Sequence, residues 1–483
     1  MNTTITKDEL VQLINDALGA DYHAREMAEM QIRNRVYGDL ASLPILLDVV
    51  DDDNLSPNLR TLALILLKNS LLLGDLENSR TKWHGVAKAQ RVSIKERVLR
   101  LLTQNSTALN HSTGRTSLAM FLGCIASAEH ADGESTVVDD MVSLLQSEND
   151  SVVRAAMVAV VQFAERLSDS NETQSSELSA YFHRLLEAVA ETLDFGDATV
   201  EQEASEHFRE LLEVVPDDSR EGLSRVLSAL IDSVETATVE NEHRISVHTG
   251  CIAALFRANR ELARGDFGRR AIAFLLKLAS SGQLRGATMQ LAVDLSGANP
   301  SLIAPHLGLL LKVMTAVFRE EESPEPNELL FNIASIAQLV EDHRDAFLPF
   351  ALPTIDQLLE LPEHILTAYS LDAEEFMPQI FIALAKLVKC DRQPSVEYVL
   401  RAKKIVLLSA VSISPVVGDE ALIATYYAMR HALEVLNLFE RLPDDEVAGI
   451  LPLIQGTEGL ESTEDVIQAS AQQVLCALFG GGE

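Results

Sequence analysis

The stretch VVDDMVSLLQSENDSVVRAAMVAVVQFAERL, residues 137–167, contains two amphipathic helices joined by a polar break. Apolar residues recur at helical spacing from Val137 to Leu145 and again from Val153 to Ala164. The break at 147–150 offers carboxylate and amide caps for the second helix. One hairpin of this kind cannot bury both of its apolar faces, whereas stacked copies can. The stretch therefore predicts an all-α fold, an α-solenoid whose long surface serves binding and not catalysis.

The same hairpin plan recurs along the chain at steps of roughly 35–50 residues, which is closer to HEAT units than to TPR or ankyrin units. Asp150 and Arg154 also follow the HEAT pattern at the start of a second helix, with weaker echoes at 197–200 and 242–244. We expect these residues to cap helices and to join neighbouring repeats by charge-assisted hydrogen bonds. The predicted first helices of the hairpins begin near residues 137, 176, 222, 267, 302, 346, 395 and 445.

Domain organisation follows from the absence of a low-complexity linker, which predicts one continuous array of HEAT repeats. We divide the array into N-terminal repeats at 1–130 and a continuing array at 131–483. The helices predicted before the first clear hairpin cover 7–18, 22–37, 40–50, 57–73, 84–104 and 113–129.

The charge of the chain is strongly acidic, with 39 Lys and Arg against 72 Asp and Glu, a formal net charge of −33. Such a surface repels the phosphates of nucleic acids and anionic lipids, so neither nucleic acid nor membrane is an expected partner. It favours partners with basic tails or patches. A second interpretation stays open, in which the acidity only keeps a large helical array soluble.

One acidic loop, residues 319–328, departs from the short turns elsewhere in the chain. Two prolines keep it out of the flanking helices. A run of like charge is usually a solvated spacer, but inside an array of repeats it can also attract a basic partner over a distance. The acidic residues in this loop are Glu320, Glu321, Glu322, Glu325 and Glu328.

Motifs for chemistry are missing from the sequence, which contains no phosphate-binding glycine loop, no nucleophile elbow and no HExxH helix. His243, His248 and Cys251 have a spacing that suggests a metal site, but no fourth ligand is visible. We therefore predict no enzymatic activity, no catalytic residue, no cofactor and no metal. The four cysteines lie far apart in apolar helical contexts, and the N-terminus lacks a secretory signal, so an intracellular protein is expected.

A family resemblance begins at residues 62–71, LALILLKNSL, followed by Lys82 and Trp83. This segment resembles the "LKN…W" segment of importin-β-type nuclear transport receptors, the karyopherin-β family. The stretch LGCIASAE at 122–129 resembles a later helix of the same family, and the stretches at 206–216 and 287–322 are more similar to the importin-5 type. The resemblance covers most of residues 7–360.

The resemblance implies a nuclear import receptor that shuttles between cytoplasm and nucleus. Such receptors bind basic cargo carrying a nuclear localisation signal, or an importin-α-like adaptor, on a concave surface. They release it when Ran-GTP binds the N-terminal repeats, and they cross the pore through Phe-Gly nucleoporins. Carried over onto this sequence, the resemblance directs Lys68, Asn69 and Arg115 toward Ran, and the glutamates of the acidic loop toward Ran and cargo.

A competing hypothesis rests on the repeats alone. It makes the chain a HEAT-repeat scaffold subunit of a multiprotein complex, of the phosphatase-scaffold or coat type. The length of 483 residues is shorter than that of a full receptor, so the resemblance also implies either a fragment or a short homologue.

Overall fold

Helices make up all the regular secondary structure in the described part of the chain, as seen in a computed structural model. The all-α prediction is therefore confirmed. The structure describes residues 5–37, 41–73, 75–104, 112–130, 136–168, 176–214, 220–237, 241–281, 284–316, 326–351 and 444–479, with scattered positions from 353 to 433.

Twenty α-helices have bounds within these ranges. In chain order they are α1 Lys7–Leu18, α2 Tyr22–Gln31, α3 Ser42–Val50, α4 Pro57–Leu72, α5 Leu76–Gly85, α6 Lys88–Thr103, α7 Ser112–His130, α8 Thr136–Leu145, α9 Asp150–Ser168, α10 Ser176–Glu191, α11 Ala198–Val214, α12 Arg220–Thr236, α13 Glu242–Ala258, α14 Asp266–Ser281, α15 Arg285–Ala298, α16 Pro300–Ile303, α17 Leu307–Ala316, α18 Pro326–Asp342, α19 Asp444–Gln455 and α20 Asp465–Leu478.

Two compact units, Met1–Ala258 and Asn259–Glu483, divide the chain. In the first unit, α3 packs on α4, α8 on α9, α10 on α11 and α12 on α13. The second helices of these pairs also stack on one another in the order α4, α7, α9, α11, α13, which we call the second-helix layer. The first helices α8, α10 and α12 stack in the same way and belong to the first-helix layer. This two-layer stacking is the architecture of an α-solenoid.

The second unit repeats the plan where it is described. Here the first helix α14 packs on the second helix α15, and α17 packs on α18. Within the layers, α14 contacts α17 and α15 contacts α18. The predicted helices between 346 and 440 fall largely outside the described residues, and the division at residue 130 stays a prediction.

The core runs through the stack as a series of fully buried side chains contributed by successive hairpins. Phe163 of α9 and Phe182 of α10 illustrate the continuity, since their ring centroids lie 6.3 Å apart across two hairpins. Complete burial of one such side chain contributes roughly 1.5–3 kcal/mol. The largest buried side chains include Trp83, Phe121, Phe163, Phe182, Phe208 and Phe256.

The hairpin at 137–167 forms as the spacing predicts, with α8 and α9 on either side of the break. The apolar residues from Val137 to Leu145 that define the first stripe are buried. At the start of α9, the backbone N–H of Ser151 donates to the side-chain oxygen of Asn149 at 3.0 Å and to that of Asp150 at 2.7 Å. These two residues cap the helix, as expected from their chemistry.

Three predicted helices differ in the structure. The helix expected at 84–104 begins later, as α6 at Lys88, and it is preceded by the unpredicted α5, which Asp75 caps by accepting the N–H of Asn78 at 2.8 Å. The helix expected at 302–319 is broken by a 3₁₀ turn at Ala304–His306, where a proline cannot donate a helical hydrogen bond. The helix expected at 22–37 ends as α2 at Gln31 and continues as a π-helical turn at Ile32–Val36.

Measured by length and hydropathy, no helix in the described part of the chain could span a bilayer.

Candidate partner-binding surface

Lys68 and Asn69, two of the residues that the resemblance directs toward Ran, lie half-buried near the end of α4. The amide of Asn69 donates to the hydroxyl of Tyr37 at 3.3 Å, which ties it to the end of the preceding repeat. Lys68 forms no ion pair or hydrogen bond with any residue that the structure describes. Its ammonium group is therefore available to a partner, while Asn69 already has a structural contact.

The positive charge of Lys68 lies close enough to α7 to affect the pKa of Cys124 on that helix. Burial raises the pKa of the Cys124 thiol to about 11, and the nearby positive charges of Arg166 and Lys68 oppose that rise. Arg115, half-buried in the first turn of α7, precedes Cys124 by nine residues, which is about 13 Å of helix axis. The structure thus places Lys68 and Asn69 side by side, and it places Arg115 farther along the neighbouring helix.

Arg166 of α9 is a residue that the sequence analysis missed. Its guanidinium is buried and donates to the carbonyl oxygens of Leu72 at 3.3 Å and Asp75 at 3.1 Å. It also donates to the hydroxyl of Ser79. A cation at this point satisfies carbonyl groups at the end of α4 and complements the helix dipole. Arg166 therefore fixes the end of α4, next to Lys68 and Asn69.

A ladder of ion pairs joins neighbouring repeats of the first unit. Arg154 of α9 contacts Glu203 of α11, with Nη1 3.2 Å from Oε1. One repeat later, Arg244 of α13 contacts Asp194 at 3.3 Å and Glu201 at 3.5 Å. The prediction that Arg154 and the echo at 242–244 link successive repeats is confirmed.

Carboxylates on α11 lie on the open face of the second-helix layer. This helix packs against α9 and α13 on its two sides and against α10 behind it, so its remaining side is uncovered in the described part of the unit. Glu206, Glu210 and Glu213 are exposed and recur every three to four residues, which places them on one stripe. The stripe presents negative charge on the same layer as Lys68.

The acidic loop lies mostly outside the described residues, which do not include Glu320, Glu321, Glu322 and Glu325. Glu328 lies in the first turn of α18. The assignment of these residues to a partner stays a prediction, as does that of Lys68, Asn69 and Arg115.

His243, His248 and Cys251, whose spacing suggests a metal site, each have different surroundings within the protein. His243 is exposed, with Nε2 3.0 Å from the carbonyl of Ala198. His248 is buried, with Nε2 3.3 Å from the carbonyl of Leu193. Cys251 is buried too, and burial raises its pKa to about 12, so the thiol does not ionise near neutral pH. Among the described residues, no group of three His, Cys, Asp or Glu side chains could hold a metal ion.

Ser296 and His343, which are buried, and the half-buried Asp342 form a cluster between α15 and the end of α18. The Ser296 hydroxyl donates to Asp342 Oδ2 at 2.7 Å and lies 2.7 Å from Nε2 of His343. Because the single hydroxyl proton goes to Asp342, Nε2 of His343 must be the donor in the other hydrogen bond. The two hydrogen bonds of Ser296 thus join α15 to the end of α18.

This chain resembles known proteins in its structure, but its sequence matches none of those compared. No protein-family model matches the sequence, and no curated protein matches it either. The fold resembles the Kap95:Nup1 complex over 98% of this chain and 56% of that chain, with 14% identity and a TM-score of 0.62. It resembles yeast importin-β (Kap95p) over 98% of this chain and 56% of that chain, with 15% identity and a TM-score of 0.57.

A third similar structure is that of Kap95p with RanGDP, whose switch loops adopt the GTP-bound conformation on Kap95p binding. It matches 98% of this chain and 72% of that chain, with 14% identity and a TM-score of 0.50. The chain thus spans only 56% of the first two structures. At these identities the similarity concerns the fold, and it confirms at that level the resemblance found in the sequence. The chain has a karyopherin-β-like fold, an all-α solenoid of HEAT-type helical repeats.

Proposed function

We propose that this chain is a nuclear import receptor that binds basic cargo, or an importin-α-like adaptor, and releases it when Ran-GTP binds. It shuttles between cytoplasm and nucleus through contacts with Phe-Gly nucleoporins. The observation that carries the proposal is the fold match to the Kap95:Nup1 complex over 98% of the chain. The match to Kap95p with RanGDP supports the choice of Ran as the regulating partner.

The proposed Ran surface lies at the N-terminal end of the second-helix layer. Lys68 provides an ammonium group without a partner among the described residues, and Arg115 adds a second cation on the adjacent helix. Two cations on adjacent helices suit an acidic or polar surface on a partner protein. Asn69 has a positioning role in this proposal, because its amide is held by Tyr37.

The proposed cargo surface is acidic, consistent with a net charge of −33 for the chain. Its described part is the stripe of Glu206, Glu210 and Glu213 on α11, a helix of the same second-helix layer as α4 and α7. The acidic loop at 319–328 supplies further carboxylates in this proposal. Long-range attraction to a basic segment then speeds association and weakens with added salt.

The test is a pull-down of the full chain with Ran loaded with a non-hydrolysable GTP analogue or with GDP. We expect capture of the GTP form, and weaker capture by Lys68→Glu. The control is Lys277→Glu, which makes the same charge change at an exposed residue of α14 that has no ion pair among the described residues. Equal capture of both nucleotide forms contradicts the proposal. A partner that co-purifies at fixed stoichiometry regardless of nucleotide supports the scaffold hypothesis instead.

A further inference from the structure

Positive charge is concentrated in one stretch of this acidic chain, residues 259–316. The stretch contains seven Lys and Arg against three Asp and Glu, whereas the formal net charge of the whole chain is −33. All of it belongs to the second unit, where its first elements are a 3₁₀ turn at Arg260–Ala263 and the helix α14. A local surface of positive charge can attract a partner that the rest of the chain repels.

The entry into α14 is a sharp turn with close backbone contacts. Gly265 has a φ of +85°, a left-handed conformation that glycine adopts readily, and it lies between the 3₁₀ turn and α14. A Cβ at Gly268 would overlap the carbonyl oxygen of Ala263, so the 3₁₀ turn lies directly against the first turn of α14. The side-chain amide of Asn299 donates to the same carbonyl at 3.2 Å and so fixes the turn from a second direction.

Three exposed arginines lie at this entry, Arg260, Arg264 and Arg269, and we call them the basic turn. Arg260 begins the 3₁₀ turn and Arg264 follows its last residue, while Arg269 follows Gly268 in α14. The contact between Ala263 and Gly268 therefore holds the backbone segments of the three arginines close together. The basic turn is thus one patch of positive charge on the surface of the second unit.

The ion pairs within the basic turn are local and exposed to solvent. Arg264 Nη1 lies 2.7 Å from Oε2 of Glu261, and Arg269 Nη2 lies 3.4 Å from Oδ1 of Asp266. Both arginine side chains are 70% exposed, and exposed pairs of this kind contribute little to stability, so the carboxylates of a partner can replace them. The side chain of Arg260 forms no ion pair or hydrogen bond with the described residues.

The acidic loop at 319–328 follows α17 in the sequence, whereas the basic turn lies beside the helix that precedes α17. That helix is α16, because a Cβ at Gly268 would also overlap the side chain of Leu302. From Leu307 to Ala316, α17 spans about 15 Å of helix axis. The acidic loop begins only after this helix.

These features define a partner by its chemistry. We propose that the basic turn binds an acidic segment of a partner protein, whose carboxylates contact Arg260, Arg264 and Arg269. The guanidinium group suits this role because it can bond to a carboxylate through two parallel N–H donors. A short acidic segment can contact the basic turn alone, since attraction and repulsion are screened beyond about 8 Å at physiological salt. A long nucleic acid has a charge at every phosphate and extends over the acidic remainder of the chain, which repels it.

The proposal is tested by fluorescence anisotropy with the full chain and a labelled peptide of alternating Glu and Gly. The comparison peptide replaces every Glu with Gln, which keeps the length and the polarity and removes the charge. Each exposed ion pair changes affinity by a few-fold at most, so three pairs together should give about a tenfold preference for the Glu peptide. The preference is measured at about 0.15 M salt and should disappear at about 1 M salt. Neither Ran nor cargo is present, so the result does not depend on the proposed transport function.

A variant and a matched control locate the binding. Replacing the three arginines of the basic turn with Gln should weaken binding of the Glu peptide about tenfold. Replacing them with Lys keeps the charge and should cause a smaller loss. The control replaces with Gln three exposed arginines of the first unit that also have carboxylate partners, Arg100, Arg184 and Arg225. Circular dichroism and melting temperature check that each variant is folded.

Three results overturn the proposal. The first is equal affinity for the Glu and Gln peptides. The second is an equal loss in the Gln variant of the basic turn and in its control, which assigns the effect to the total charge of the chain. The third is tighter binding of a single-stranded oligonucleotide than of the Glu peptide at the same salt, which assigns the basic turn to nucleic-acid phosphates.

Discussion

The guanidinium of Arg166 in α9 donates to the carbonyl of Leu72, the last residue of α4, at 3.3 Å. This contact links two helices of the second-helix layer that are not neighbours in the stack, since α7 lies between them. Arg166 also reaches Ser79 of α5, so one buried cation holds the junction between α4 and α5. The position of Lys68, one turn earlier on α4, depends on this junction.

We therefore expect Arg166→Met to destabilise the first unit by about 3 kcal/mol, because buried carbonyl groups lose charge-assisted hydrogen bonds while most of the packing volume is kept. The measurement is urea denaturation followed by circular dichroism. Arg264→Met is the control, since its side chain is 70% exposed and pairs only locally with Glu261. Equal destabilisation by both substitutions, or none by Arg166→Met, would refute this role for Arg166.

Two glycines in the second-helix layer should respond to alanine in opposite directions. A Cβ at Gly123 of α7 would lie 2.6 Å from the carbonyl oxygen of Ala159 on α9, so the helices must move apart. Such overpacking typically costs about 1–3 kcal/mol. A Cβ at Gly250 of α13 meets nothing within 4 Å, and there alanine should stabilise the helix by about 0.5–1 kcal/mol.

The measurement for this pair is the melting temperature of Gly123→Ala and Gly250→Ala. The expected order is Gly123→Ala below the unsubstituted chain and Gly250→Ala above it. A decrease of similar size in both variants would mean that the close approach of α7 and α9 is not a property of the protein in solution.

The sequence was sufficient to predict the helical hairpins, because their apolar residues keep a helical period and their breaks are polar. It was not sufficient for α5, in which only Leu76, Ser79 and Trp83 are buried, so the period is hard to see. Arg166 was missed for a related reason. A long cation within an apolar helix is usually solvated at its tip, and only the fold brings the carbonyl groups of α4 and α5 within its reach.

In the candidate site, too, some features follow from the sequence and others require the fold. The spacing of residues along α4 places Lys68 and Asn69 together without any structure. The distance from Lys68 to Arg115 depends on how α4 and α7 stack, which no local pattern contains.

Stability should fall as the pH drops below about 6.5, the ordinary pKa of histidine. Burial lowers the pKa of His343 in the folded chain, although the carboxylate of Asp342 partly opposes this effect. The unfolded chain therefore binds a proton that the folded chain does not, so stability is full above this range and is lost as the pH falls through it. His343→Gln keeps a donor for Ser296 and removes the titration.

The measurement is urea denaturation at pH 7.5 and at pH 5.5, conditions about one unit either side of the histidine pKa. We expect the loss of stability at the lower pH to be smaller in His343→Gln than in the unsubstituted chain. Lysine-paired Asp52, whose pKa is lowered to about 2, titrates far below this window and does not interfere. An identical pH response in both proteins would show that His343 titrates normally.

The acidic loop can be distinguished from the stripe on α11 by its effect on a basic cargo peptide. Replacing Glu320, Glu321 and Glu322 with Gln removes three charges, and in the proposed receptor this weakens cargo binding and flattens its dependence on salt. The matched variant replaces the same number of carboxylates, Glu206, Glu210 and Glu213, in the exposed stripe. Affinity is measured by fluorescence anisotropy over a series of salt concentrations.

If both regions contact the cargo, each triple variant lowers affinity at low salt, and the two losses converge as salt screens the charges. If the loop is only a solvated spacer, its variant binds like the unsubstituted chain while the stripe variant does not. Unchanged affinity in both variants at low salt would remove the acidic surface from the cargo site altogether. The comparison therefore assigns the attraction to one region, the other or both, because total charge changes equally in the two variants.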